Sequence, residues 1–375
     1  MKKETNNISE EVLEVEREEL LPEELGEIDV ELMEAIKLDK TLKKQIASIS
    51  HITRMEMKAT VDLFYQLQHD RIALENQIRA IKQHADTEKE DGSSSIVLDL
   101  CLKNMKINEA NTAKIIETLV QNHPVGQWLL QIKGIGPVLA GGLIGYFDVT
   151  NKEYASQFMS YAGLNDNNRP WLGKKKSEEI VNEIVGKSKT ITDDMVVEIA
   201  ARTQWSYKYL LGRAYDQEKG KWKKDKLIAA CAVVPYNKKL KMLMYKVGSS
   251  FQWNCNKPDS LYGQLFNEHR VMETQKNERG EFAEQAKKEL ESKNYSKSTE
   301  AYKCYTEGKL PKAHINMRCL RWVEKLFVSH LFEEMYRVEY DKLPPRYYAL
   351  EHCDGHHDEI EPEVPYHTIS SEIEK

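Results

Sequence analysis

The run Lys133-Gly134-Ile135-Gly136, followed at once by Pro137, has the residue types needed to meet an oxyanion. Glycine has no Cβ, so Gly134 and Gly136 can take positive φ and bring main-chain N–H groups up to a phosphate oxygen. Pro137 suits a first helical turn, where its missing N–H loses no partner, and a helix starting there points its positive end at the same anion. Lys133 adds a full charge, Ile132 and Ile135 flank the turn as apolar anchors, and Ala140 and Gly141 permit close helix packing. Two glycines before a helix also make a plain tight turn, so the bland alternative is packing alone. Contacts of this kind grip a sugar-phosphate backbone without reading bases, which predicts salt-sensitive, weakly selective binding.

Two further lysine clusters extend the candidate phosphate surface: Lys174, Lys175 and Lys176, and Lys238, Lys239 and Lys241 in the stretch that opens at Pro235. The alternative for each is a solvated helix face. Ser177, next to three ammonium groups, is the candidate nucleophile, because neighbouring cations favour a deprotonated hydroxyl. Its structural alternative is a helix N-cap ahead of Glu178 and Glu179. The mixture Trp205, Tyr207, Lys208, Tyr209, Arg213, Lys221, Trp222, Lys223 and Lys224 could hold a strand by charge and stacking, or could describe one packed and one solvated face. His352, Cys353, Asp354, His356 and His357 have zinc-ligand types at short spacing. With no second pair marked elsewhere, they read as a polar tail. No metal or cofactor is expected.

These groups need a helical frame. Apolar residues recur at steps of four and three through Leu38, Leu42, Ile46 and Ile49, and again through Leu63, Leu67, Leu74, Ile78 and Ile81, which predicts one long helix with a coiled-coil-like seam. The seam is weak at Thr53, Glu56 and Thr60. A polar loop is expected over Asp86 to Ser95, and then a second helix from about Ile96 to Gln121, so that the two make a helical hairpin arm. A short helix follows His123-Pro124, then the glycine turn, then a helix from Pro137. Residues 270 to 310 read as a mobile helix or linker, and Ala313 to Arg337 as a helix burying Ile315, Cys319, Trp322, Val323, Leu326, Phe327 and Leu331.

The formal net charge of -6 hides an uneven distribution: Glu and Asp crowd residues 9 to 34, and Lys crowds 219 to 246. The six cysteines lack CxxC spacing and the basic N-terminus has no apolar run behind it, which predicts a reduced, cytoplasmic protein. The longest apolar stretch, Val138 to Phe147, is too short to span a bilayer, so no membrane association is expected.

The order of Gly134-Ile135-Gly136-Pro137-Val138-Leu139-Ala140, then Phe158 with Tyr161-Ala162-Gly163-Leu164, then Pro235-Tyr236-Asn237-Lys238-Lys239-Leu240-Lys241, resembles the C-terminal half of a family of insertion-sequence transposases. Members join an N-terminal RNase-H-like DEDD nuclease domain to a coiled coil and a helix-hairpin-helix domain bearing a serine, and they are associated with RNA-guided recombination. The resemblance is close over 124 to 164 and loose over 38 to 250. It implies DNA as partner, with a guide RNA or a separate nuclease as further candidates. The chain departs from the pattern twice: the acidic, helical N-terminal part has no β-rich run with a buried aspartate, and Pro170 falls where the family places its serine.

The expected fold is mainly α. A tail at 1–30 leads into the arm at 31–122, which also offers a homo-oligomer contact. A helix-hairpin-helix domain at 123–255 carries a basic insertion at 175–225, followed by a polar linker at 256–310, a helix at 311–340 and a tail at 341–375. The expected function is backbone-gripping DNA binding in transposition or recombination. An active recombinase using a serine and a structural oligomerisation protein are the rivals.

Overall fold

A computed structural model of the 375-residue chain describes residues 52–88, 96–165, 171–188, 190–345 and 360–373, with isolated positions 44, 45 and 48. The expected tail at 1–30, the seam residues Leu38, Leu42, Ile46 and Ile49, residues 89–95 of the polar loop, and the His352–His357 cluster lie outside the described residues. The described chain is mainly α. The only strands described are the two-residue pair β1 (Tyr215–Asp216) and β2 (Lys221–Trp222).

The first helix is α1 (Arg54–Glu88) and the second α2 (Ile96–Gln121). The expectation of one helix running on from Leu38 is corrected here, because a capping box opens α1 at residue 54. The Glu56 carboxylate accepts from the Thr53 N–H at 2.9 Å, and the Thr53 hydroxyl accepts from the Glu56 N–H at 3.2 Å. Thr53 and Glu56 are thus the end signal of a helix, which is why apolar residues are missing from the seam there.

Contacts divide the chain into two units, an arm that contains residues 62–118 and a body that contains 52–61 and 119–373. In the arm, the Arg71 guanidinium joins Glu109 at 2.5 Å and Glu75 at 2.8 Å, and Lys106 reaches Glu75 at 3.1 Å. Phe64, Leu74 and Ile78 are buried, whereas Leu63, Ile81, Val97 and Leu100 are exposed.

The body begins with α3 (Pro124–Gln131), α4 (Pro137–Tyr146) and α5 (Ala155–Tyr161). Next come α6 (Gly173–Val185), α7 (Asp193–Thr203), α8 (Tyr207–Ala214) and α9 (Lys224–Cys231). These four pack on one another around Val181, Ile199, Leu210 and Leu227, so the insertion has a core of its own. Then α10 (Lys238–Trp253), α11 (Leu261–Glu278), α12 (Ala283–Ser292), α13 (Glu300–Thr306) and α14 (Lys312–Tyr340) follow, and α15 (Ser370–Ile373) is the last. The central element is α14, which packs against α3, α5, α10 and α11. Its Phe327 meets Phe251 and Tyr262 edge-on at 5.3 and 5.4 Å, and its Phe332 meets Phe158 at 5.1 Å.

Two expectations are overturned. Residues 256–310 contain three helices and are not a linker: Tyr262, Phe266, Ala286 and Tyr305 are buried, and so is the charged Glu273. Glu273, buried on α11, accepts from Arg318 of α14 at 2.7 Å and from Lys276 at 3.2 Å. Nor is 341–375 simply a tail, because residues 360–373 form a strap across the body with Val364 and Ile369 buried.

Candidate nucleic-acid interface

The glycine turn is seated on the C-terminal end of α10. Gly134 has φ +98, and its carbonyl accepts from the Ser250 hydroxyl at 2.6 Å. A Cβ there would lie 2.8 Å from Ser250 Oγ and 2.9 Å from Asn254 Nδ2, so the position requires glycine for space as well as for backbone angle. Ile132 and Ile135 are buried anchors, and the Ile135 N–H closes the turn on the Ile132 carbonyl at 3.0 Å. Gly136 is the N-cap of α4 and Pro137 its first residue. A side-chain carbon on Gly136 would meet no atom within 4 Å, so the mouth of α4 opens onto free space. First-turn amides have no acceptor inside their own helix. Those of Gly136, Val138 and Leu139 make no hydrogen bond among the described residues.

Beside that mouth, Lys133, the cation expected to meet phosphate, is already engaged by the protein itself. Its ammonium pairs with Asp259 at 2.9 Å, which raises the Lys133 pKa and lowers that of Asp259 through their shared hydrogen bond. Its main-chain N–H donates to Glu363 Oε1 at 2.6 Å, while Glu363 Oε2 accepts from the Leu261 N–H at 2.9 Å, the first amide of α11. An anion therefore does sit on this hairpin, and it is the protein's own carboxylate.

The strap carries Glu363 there and is pinned at several points. The Trp128 indole N–H donates to the Val364 carbonyl at 3.0 Å, and the Trp128 ring stacks on Tyr366. Buried His330 bridges the Tyr262 hydroxyl and the Ile360 carbonyl, at 2.8 Å each. Burial pushes the His330 pKa down to about 4, so the neutral ring donates to Ile360 through Nε2 and accepts from Tyr262 through Nδ1. Glu334 accepts from the His367 N–H at 2.8 Å, and Arg337 holds Glu372 at 3.0 Å.

The other lysines lie at the opposite end of α10, about 24 Å from the turn for a helix of 16 residues. Asn237 caps this end, accepting from the Leu240 N–H at 3.1 Å. It also binds the Tyr161 segment, its N–H donating to the Tyr161 carbonyl at 2.9 Å and its side-chain amide to the Tyr161 hydroxyl at 2.8 Å. The Tyr236 ring lies against Gly163, φ +69, with no room for a Cβ between them. The structure thus joins two motifs separated by about seventy residues.

Lys238, Lys239 and Lys241 are exposed in the first turn of α10, which has no acidic residue to offset them. Lys238 and Lys241 form no ion pair among the described residues. They instead approach aromatic faces, Lys238 over Trp171 at 5.9 Å and Lys241 over Tyr236 at 4.4 Å. Trp171 is 55% exposed and its indole N–H is anchored to the Ala232 carbonyl at 3.1 Å. Lys174, Lys175 and Lys176 are exposed in the first turn of α6, two residues beyond Trp171.

No family model matches this chain, and no curated protein or solved structure is significantly similar to it.

The remaining candidates are placed differently from the sequence expectation. Ser177 is 0% exposed, four residues into α6, with its hydroxyl donating to the Gly173 carbonyl at 2.7 Å. It is neither a presented nucleophile nor an N-cap, since the cap position is Leu172. In the insertion, Trp205 and Trp222 are buried, and their indole N–H groups are held by the Cys231 carbonyl and Asp193. The packed-face alternative describes them. Pro170 lies outside the described residues, and among those described no cluster of three His, Cys, Asp or Glu side chains is disposed to hold a metal. Sequence reasoning missed Asp259, Glu363 and Trp171. Only Trp171, an aromatic just ahead of three lysines, gave a local signal.

Proposed function

We propose that this protein binds DNA through the glycine turn at 133–136, gripping the sugar-phosphate backbone as part of a transposition or recombination apparatus whose strand-transfer chemistry comes from a partner. The supporting observation is the open mouth of α4, where glycine leaves space and first-turn amides with no hydrogen bond among the described residues lie at the positive end of a helix dipole. The lysines at the far end of α10 add positive field to the same body. Ser177 is not carried into this proposal, because its hydroxyl is buried and engaged.

The test is Gly136→Asp. The backbone at Gly136, φ -87 and ψ 171, suits an aspartate N-cap, so the variant keeps α4 while placing a carboxylate in the phosphate seat. Duplex affinity at low salt is expected to fall by at least about tenfold, with the melting temperature held. Unchanged duplex binding by fluorescence anisotropy would falsify the reading.

A structural role is favoured by one observation, that the hairpin anion is internal. In that alternative the arm pairs copies of the chain through residues such as Leu63 and Leu100, and sedimentation would give a discrete oligomer with no affinity for nucleic acid.

A further inference from the structure

We infer that the face formed by Tyr161, Trp171 and the lysines opening α10 holds an unpaired nucleic-acid strand, with bases stacked on the two aromatic rings and phosphates on Lys238 and Lys241. This deepens the nucleic-acid reading of the body and rests on it, but concerns a surface at the other end of α10 from the glycine turn.

Three observations meet at this face. First, large aromatic rings stay in water where burial would be expected: Trp171 is 55% and Tyr161 44% exposed. Second, neither ring is loose. The Trp171 indole N–H is fixed on the Ala232 carbonyl, and the Tyr161 hydroxyl is fixed by Asn237, so each presents a preorganised π-face whose polar atom is already satisfied. Third, positive charge is concentrated beside them, because Lys238 and Lys241 sit at a helix N-terminus that raises the local positive potential, has no acidic residue in its first turn, and leaves both lysines without an ion pair among the described residues.

A duplex hides its base faces inside the stack and offers an exposed indole only its grooves and phosphates. An unpaired strand offers π-faces and phosphates together, the combination that aromatic residues interleaved with lysines can hold without regard to sequence. The described residues that carry this proposal are rings and ammonium groups, which do not read base edges, so selectivity is expected for strand state and not for sequence.

The experiment compares Trp171→Leu with Trp171→Phe in the full chain. Both lose the indole N–H and keep apolar bulk, so they are matched for folding, but only phenylalanine keeps a π-face. A fluorescein-labelled twelve-nucleotide oligo-dT, the same length of oligo-U, and a mixed-sequence duplex serve as probes. Trp171→Leu is expected to weaken oligo-dT or oligo-U binding about tenfold, Trp171→Phe to restore most of it, and both to leave duplex binding unchanged. The preferred sugar tells whether the strand is DNA or RNA.

Equal single-strand affinity for the Leu and Phe variants overturns the inference, as does a parallel loss on the duplex, which would make the face a general phosphate surface. Gly136→Asp assayed on the same probes separates the two claims. Loss of duplex binding alone leaves this face standing, and loss of neither under Gly136→Asp removes the hairpin reading while the Leu–Phe contrast still decides this one.

Discussion

The two ends of α10 both carry groups suited to phosphate, and they differ in what already sits on them. At the C-terminal end the glycine turn takes its shape from Gly134, at φ +98, with its carbonyl held by Ser250, yet its cation and one of its amides are taken by Asp259 and Glu363. At the N-terminal end Lys238 and Lys241 lie over aromatic rings and form no ion pair among the described residues. One end is shaped but screened, and the other is open but held together by little more than Asn237 and Tyr236. The difference teaches that a motif's geometry and its availability are set by different parts of the chain: the turn by its own glycines, its screening by a strap more than two hundred residues away.

If the strap is what screens the hairpin, acid should loosen that end and leave the other alone. His330 holds the strap through Ile360, and burial lowers its pKa from 6.5 to about 4. The folded protein therefore takes up its proton later than the unfolded chain as pH falls. The stabilisation is complete above pH 6.5 and drains away between 6.5 and 4, in total about 3 kcal/mol. Glu324 and Glu334, whose burial raises their pKa values, act with the opposite sign, lending stability at low pH that is lost as pH rises above the ordinary carboxylate value. The His330 part is thus read as the difference between the wild type and His330→Gln in urea melts across this window. Parallel curves for the two proteins would refute it.

A smaller effect is expected from Glu363→Gln, which keeps an oxygen for one amide and removes the charge. Losing charge assistance on the Lys133 and Leu261 amides should destabilise the fold by about 1–2 kcal/mol. Duplex affinity should nevertheless rise about threefold to tenfold, because a negative group leaves the neighbourhood of the phosphate seat. A fall in both stability and affinity would mean that Glu363 builds the turn and does not compete for it.

How much of this was legible follows the same division between local and distant causes. Pro124, Pro137 and the glycines gave the helix-turn-helix boundaries because caps and φ preferences are written within a few residues. The helix α14 was readable from its apolar period. The helices α11, α12 and α13 read as linker in the sequence because their buried sets are sparse and their charges resemble a solvated stretch. Composition does not say that Glu273 will find Arg318 forty-five positions on. Ser177 looked reactive beside three lysines because side-chain direction on α6 is fixed by the insertion's core, in which Val181 and Val185 share its buried face. Glu363 carried no signal at all, since its pairing with Lys133 is a product of the whole fold.

The mildest test addresses the open end. Lys238→Ala with Lys241→Ala removes two ammonium groups that are exposed and unpaired among the described residues, so little change in stability is expected. Each phosphate contact on a single strand contributes about 0.7 to the slope of log affinity against log salt, so the double variant should flatten that slope by about 1.4 on oligo-dT. The loss of affinity then shrinks as salt rises, whereas the loss from removing a stacking ring persists, because stacking releases no counterions. A slope unchanged by the double variant would mean that the strand's phosphates lie elsewhere. The contrast between the ends of α10 would then reduce to Trp171 and Tyr161 alone.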